Sequence, residues 1–318
     1  MARDRIRIGT RGSRLALWQA DHVAARLAKA HPGLEPKRVV IRTTGDRVLD
    51  TALSRIGDKG LFTRELESAL HEERIDVAVH SLKDLPTDMP GGLGIAAVLE
   101  REDPRDALVA RDGLELAALP AGSRVGTSSL RRRAQLLALR PDLEIADLRG
   151  NVPTRIEKVQ RGDVTAAVLA RAGLVRLGLE GHVSQVLEPE QVLSAVGQGA
   201  VAVQSRAEDA DTRRLLAPLD HGLTRLAVTA ERSLLARLEG GCQVPVGALA
   251  TIDGQRTRLR AIVASVDGRD VVRGEESAET PDLASAEALG VRLAERLLED
   301  GADEILTRTR AAIAEGAR

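Results

Sequence analysis

Two apolar rhythms alternate along the first two thirds of the chain. Short runs such as Arg5–Gly9 (RIRIG), Pro36–Thr43 (PKRVVIRT), Ile75–Ser81 (IDVAVHS) and Leu93–Val98 read as strands. Between them, Ser13 to about Ala30 carries Leu17, Ala20, Ala24 and Leu27 on one helical stripe, and Leu61–Glu73 forms a second helix after the turn Gly57-Asp58-Lys59-Gly60. The rhythm restarts after the charged link Glu100–Asp106. Strands are expected at Arg124–Thr127, Leu143–Leu148, Thr165–Ala170 and Ala200–Ser205, with helices at Ser129–Leu139 and Pro153–Gln160. Such alternation predicts α/β lobes with parallel or mixed sheets covered on both faces. From Gly222 the grammar changes to a long helix ending near Leu238, strands near Val246–Ile252, Arg256–Val266 and Asp270–Glu276, and helices at Leu283–Leu298 and Asp303–Ala314. That is a separate small α+β domain.

Composition narrows the function classes. The 318 residues are 43% hydrophobic and 29% charged, which describes a globular chain. A net charge of −1 lacks the basic excess of a sequence-independent nucleic-acid binder. No apolar run reaches a membrane span, and the charged start MARDRIRIGT is unlike a signal peptide, so a cytoplasmic protein is expected. There is no tyrosine, one Trp (Trp18), one Phe (Phe62) and one cysteine, Cys242, so neither tyrosine acid–base chemistry nor an intrachain disulfide is available. Almost all basic residues are arginine, which codon bias or carboxylate recognition would equally explain. Position separates the two: residues 124–176 carry a net +6 and residues 177–318 a net −7. A local cationic segment in a neutral chain suits a small polyanionic ligand.

One device occurs three times: a strand ends, a short polar loop carries arginine, and a helix begins. The loops are Thr10-Arg11-Gly12-Ser13, then Gly126-Thr127-Ser128-Ser129 followed by Arg131, Arg132 and Arg133, and then Arg149 to Arg155. Helix N-termini attract anions, whereas an arginine there opposes the helix dipole at about 0.3–1 kcal/mol. Three arginines in one first turn make sense if an anion sits among them; plain N-caps with solvated arginines are the blander alternative. Nucleotide-phosphate fingerprints are absent, so a ligand bearing several carboxylates is the simplest candidate.

Two further positions carry chemistry. The strand Ile75–Ser81 runs into Lys83 and Asp84, where a carboxylate at the end of a strand could act as general acid/base, stabilise a cation, or simply form a surface turn. Cys242 follows Gly240-Gly241 and is stopped by Pro245, a place for a nucleophile or an attachment point. His80 reads as a packed strand residue, and the histidines show no metal spacing.

These pieces resemble, across essentially the whole chain, the porphobilinogen deaminase (hydroxymethylbilane synthase) family. The resemblance is carried by Thr10–Ser13 with LALWQA, Thr44-Gly45-Asp46, Gly57–Phe62, Val79–Asp84, Glu100–Asp106, Val125–Arg132, Leu148–Arg155, Ala172–Gly178, Val196–Ala200 and Glu239–Pro245. It implies two lobes like those of type II periplasmic binding proteins, 1–99 with 200–217 and 100–199, and a cofactor-bearing α+β domain, 218–318. It implies a dipyrromethane cofactor joined to Cys242 by a thioether, on which four porphobilinogen molecules are deaminated and condensed to 1-hydroxymethylbilane. Asp84 would assist ammonia loss, stabilise pyrrole N–H cations and then help remove the ring proton. Arg11, Arg131, Arg132, Arg149, Arg155 and Arg176 would meet the acetate and propionate groups, with Ser13, Thr127, Ser128 and Ser129 as hydroxyl and N-cap partners. Ser81 and Lys83 would line the cofactor, and Gln19, Asp46, Lys59 and Phe62 would make secondary contacts or belong to a segment over the cleft. A monomer without nucleic-acid, membrane or metal partners is implied. The contrasting readings are a non-catalytic carboxylate-binding protein on the same bilobal fold, which needs neither Asp84 nor Cys242, and a hydrolase or transferase with a free thiol.

Overall fold

A computed structural model of the chain describes residues 4–44, 63–239 and 244–314. They divide into two compact units: 4–44, 63–102 and 199–225 in one, and the remaining described residues in the other.

In the first unit, strands β1 (Arg5–Thr10), β2 (Glu35–Val40), β3 (Val77–Ser81), β4 (Leu93–Val98) and β10 (Val201–Arg206) form a sheet in the order β2-β1-β3-β10-β4. β1 pairs in parallel with β2 and β3, while β10 runs antiparallel to β3 and β4. Helix α1 (Arg14–Ala30) covers one face. Its buried stripe is Ala16, Ala20, Val23 and Leu27, so the helix is turned slightly from the predicted stripe, and Leu17 and Ala24 lie at its margins. The stripe packs on Ile6, Ile8, Val77, Val79, Val201 and Val203 from the sheet. Helix α2 (Arg64–His71) buries Leu66, Ala69 and Leu70 with Ile75, Ala78 and Leu93.

The second unit contains a five-stranded sheet ordered β7-β6-β8-β5-β9, from β5 (Asp106–Ala110), β6 (Arg124–Gly126), β7 (Glu144–Ala146), β8 (Ala166–Ala170) and β9 (Gln185–Leu187). β6 is parallel to β7 and β8, and β5 is antiparallel to β8 and β9. The pattern of the first sheet therefore recurs, with the antiparallel strand in the same fourth place. Helices α3 (Leu130–Leu139), α4 (Val152–Arg161) and α5 (Arg171–Arg176) follow β6, β7 and β8.

The expected charged link ends one residue too late. Asp106 is the first residue of β5 and is completely buried. The preceding polar run masks a strand only five residues long.

After the short α6 (Ala210–Leu216) and the long α7 (Gly222–Glu239), an antiparallel sheet β11-β12-β13 (Val246–Asp253, Arg256–Ala264, Val271–Glu279) leads to α8 (Leu283–Leu297) and α9 (Asp303–Ala314). Alternate residues Leu259, Ala261 and Val263 pack against Ala230 and Leu234 of α7 and Leu289, Leu293 and Leu297 of α8. The molecule is thus α/β, with two lobes of one sheet topology and a small C-terminal α+β domain, as predicted. At the β12–β13 turn, Gly268 has φ +74°, and a Cβ there would meet Ala138 N at 2.4 Å and Ala134 O at 2.7 Å. Only glycine allows this hairpin to approach α3 so closely.

Candidate active site

In the first unit, β1 and β3 are adjacent and parallel, so their carboxyl ends open on the same edge of the sheet. β1 runs into Arg11 and Ser13, whose hydroxyl caps α1 by accepting from Ala16 N at 3.3 Å. β3 ends in Ser81 and a single 3-10 turn, Leu82–Asp84. Leu82 N donates to Ala200 O at 3.0 Å, and Leu85 N to Leu82 O at 3.1 Å, which fixes the turn. Gln19, on the buried face of α1, donates from Nε2 to Ser81 Oγ at 2.8 Å and so ties the helix that follows β1 to the end of β3.

The result is a pocket with about 420 Å³ of open space, its mouth included, whose polar lining includes Arg11, Ser13, Gln19, His80, Ser81 and Asp84. Five predicted site residues, Arg11, Ser13, Gln19, Ser81 and Asp84, meet here. Lys83 is exposed on the same turn as the exposed Asp84. Burial holds His80 well below its usual range, at about 4, against the opposing hydrogen bond with Gln204 Oε1 at 3.1 Å; the nearby charge of Arg11 lowers it further. His80 is therefore neutral near pH 7, and the carboxyl group lining this pocket is that of Asp84.

The second unit builds its polar edge in the same way, from the carboxyl ends of β6, β7 and β8. Thr127 is buried and accepts from Ser129 N at 3.2 Å, and Ser129 caps α3 by accepting from Arg132 N at 3.4 Å. Ser128 Oγ donates to Leu148 O at 3.1 Å and accepts from Leu148 N at 3.2 Å, tying this loop to the one that carries Arg149. Asn151 caps α4 through Thr154 N at 3.0 Å, and the half-buried Arg155 donates from Nε to Gly150 O at 2.9 Å. Arg149 and Arg176 are half-buried, Arg176 closing α5 after β8.

Arg131 and Arg132 are different. They are 5% and 6% exposed, and an anion does sit between them: the chain's own Asp106, 2.8 Å from Arg131 Nη1 and 2.7 Å from Arg132 Nη2. Burial alone would raise the Asp106 carboxyl, but the two guanidinium groups prevail and hold it far below the usual carboxylate range. Sequence reasoning passed over Asp106, although a carboxylate opening the apolar run ALVA was a usable signal. It also passed over Gln198, which donates to Asp106 Oδ1 at 2.8 Å.

Asp46, Lys59, Phe62 and Cys242 lie outside the described residues. Among the described residues no cluster suits a metal ion, and no helix is long and apolar enough to cross a membrane.

The donor set fits a polycarboxylate pyrrole group. Arg132 Nε and Arg133 Nε are buried donors without an acceptor among the described residues, and guanidinium forks match carboxylates.

Comparison with known proteins agrees with this chemistry. Residues 6–214 match the family model described as porphobilinogen deaminase, dipyromethane cofactor binding domain, and residues 225–299 the model for its C-terminal domain. The porphobilinogen deaminase of Desulforudis audaxviator is 56% identical over 306 residues, covering 96% of this chain and 97% of that protein. Two solved structures overlap in part. The VFT2 domain of BvgS from Bordetella pertussis has a TM-score of 0.42 at 14% identity, covering 68% of this chain and 86% of that one. The alkanesulfonate-binding protein SsuA from Xanthomonas axonopodis pv. citri has a TM-score of 0.37 at 15% identity, covering 74% and 76%.

Proposed function

The chain belongs to the porphobilinogen deaminase family, and we propose that Asp84 is its catalytic carboxylate and Cys242 the thioether anchor of its dipyrromethane cofactor. The enzyme is a transferase of tetrapyrrole synthesis that deaminates and condenses four porphobilinogen molecules into 1-hydroxymethylbilane, releasing ammonia. When bound, the dipyrromethane supplies the nucleophilic pyrrole terminus on which the chain grows. Arg11, Ser13 and Ser81 hold carboxylates in the first unit, and Gln19 fixes Ser81 in place. Arg131, Arg132, Arg149, Arg155 and Arg176 do so in the second, with Thr127, Ser128 and Ser129 shaping the loops. Lys83 adds a cation on the Asp84 turn. Asp46, Lys59 and Phe62 act as secondary contacts.

Asp84 hydrogen-bonds the substrate's ammonium and pyrrole N–H. It balances the positive charge left as ammonia departs, and it takes up the ring-carbon proton after the new carbon–carbon bond forms. A carboxylate can do all three only while ionised, and Asp84 is exposed on the 82–84 turn, where substrate can reach it.

The observation that carries this reading is the pocket that gathers Asp84 with Arg11, Ser13, Gln19 and Ser81 at two neighbouring strand ends. The binding-protein alternative gives no account of a family match spanning both the cofactor-binding and the C-terminal domains.

The lobes are assigned to 1–99 with 200–217 and to 100–199, and the cofactor-bearing domain to 218–318. The enzyme works as a monomer in the cytoplasm; a sole cysteine committed to a thioether leaves no disulfide that would need an oxidising compartment.

Replacing Asp84 tests the catalytic assignment. Asp84→Ala should retain a two-pyrrole adduct by intact mass and lose at least a hundredfold in turnover, a loss within the range that positioned acid–base groups contribute. A variant near the wild-type rate would refute the role.

A further inference from the structure

We propose that Asp106 is a positioning residue that fixes the guanidinium groups of Arg131 and Arg132 and halves their charge, so that this part of the site receives one carboxylate and not two. The inference rests on the reading of these two arginines as carboxylate holders.

Each group in the cluster is held at more than one point. Asp106 is fully buried at the start of β5, and its Oδ1 accepts from both Arg132 Nη2 at 2.7 Å and Gln198 Nε2 at 2.8 Å. Arg131 Nη1 lies 2.8 Å from the other oxygen and donates to Leu193 O at 2.6 Å. Arg132 Nη1 donates to Val168 O at 2.8 Å, and Gln198 Nε2 also reaches Pro104 O at 2.7 Å. The guanidinium planes are thereby set before any ligand arrives, which removes an ordering cost from binding.

The charge count follows from the same contacts. Two buried cations share one buried anion, leaving a single uncompensated positive charge. One arriving carboxylate neutralises it. A second would enter dry surroundings with no counter-charge, which is strongly unfavourable. The buried Arg132 Nε–H, lacking an acceptor among the described residues, remains available to the incoming group.

Asp106→Asn preserves size and one acceptor while removing the charge, and inorganic sulfate is the probe. In calorimetric titrations of the purified proteins at fixed ionic strength, the Asn variant should bind sulfate at least tenfold more tightly than wild type. Equal sulfate affinity in a variant that is folded by circular dichroism would overturn the proposal. If Asp106→Asn does not fold, Asp106→Glu decides, because it keeps the charge but displaces the carboxylate by one methylene. It should bind sulfate no more tightly than wild type and keep its two-pyrrole adduct while kcat falls at least tenfold; a sulfate affinity raised tenfold, or a kcat within twofold of wild type, would overturn the proposal. A wild-type protein lacking both adduct and turnover would instead strike at the carboxylate-holder reading, and the sulfate titration reports separately.

Discussion

Glu231→Leu should loosen the two elements that flank Cys242 in sequence. Glu231 lies on α7 with no exposed surface, and its two carboxylate oxygens accept from two different segments: Gly197 N at 2.7 Å and Ala250 N, in β11, at 2.8 Å. α7 ends at Glu239 and β11 begins at Val246, so this one carboxylate ties together the arms on either side of residues 240–243. Leucine is of similar length but cannot accept a hydrogen bond, so the main effect is two buried amides left without this acceptor. Each costs about 1–3 kcal/mol, giving about 2–6 kcal/mol for the pair. Glu231→Gln keeps one acceptor and turns a donor towards the other amide, so about half that loss is expected. Urea unfolding gives the total. Hydrogen exchange read by mass spectrometry on peptides containing Gly197 and Ala250 gives the location, because both amides should lose protection while those of β1 and β3 keep theirs. A leucine variant within about 0.5 kcal/mol of wild type, the range of an ordinary surface change, with unchanged exchange at both amides, would refute the reasoning.

Two other substitutions probe the scaffold. Gly268→Ala places a Cβ 2.4 Å from Ala138 N at φ +74°. The left-handed backbone costs about 1–2 kcal/mol and overpacking about 1–3 kcal/mol, so a loss of about 2–5 kcal/mol should appear as a lower urea midpoint; an unchanged midpoint would mean the hairpin does not need its close seat on α3. His80 titrates near 4 in the folded protein against about 6.5 when unfolded, so the unfolded chain binds the proton first and stability falls as pH drops from 6.5 towards 4. His80→Gln should therefore lose about 2 kcal/mol less stability than wild type between pH 7 and pH 4.5; parallel losses in urea titrations at the two pH values would contradict a buried neutral imidazole.

Much of this architecture could be read from local pattern. Strand-then-helix alternation marked β1, β3, β4, β8 and β10 to within a residue or two, because each is an apolar run long enough to show its period. The three capped loops were equally legible, since a serine or asparagine before an arginine-bearing turn is a local signal. What stayed hidden depends on partners far away in sequence. β9 is three residues long and takes its identity from pairing with β5. Arg131 and Arg132 were read as part of a cationic segment awaiting a ligand, whereas their first counter-ion is Asp106, about 25 residues upstream and buried with them. Segment charge sums count residues by position in the chain and so miss a carboxylate that the sheet carries across. Asp76 shows the same effect: it pairs with Arg7 at 2.7 Å across the β1–β3 edge, a contact no window of sequence contains.

The central claim is that this chain builds tetrapyrrole on a covalent two-pyrrole primer held by its single cysteine. Intact mass of the purified protein, with an Ehrlich-type colour reaction and peptide mapping, tests it most directly. The account predicts a mass excess equal to two pyrrole units, a dipyrrole colour, and the adduct on the peptide containing Cys242. An unmodified, alkylatable Cys242 in a protein that still consumes porphobilinogen would contradict it.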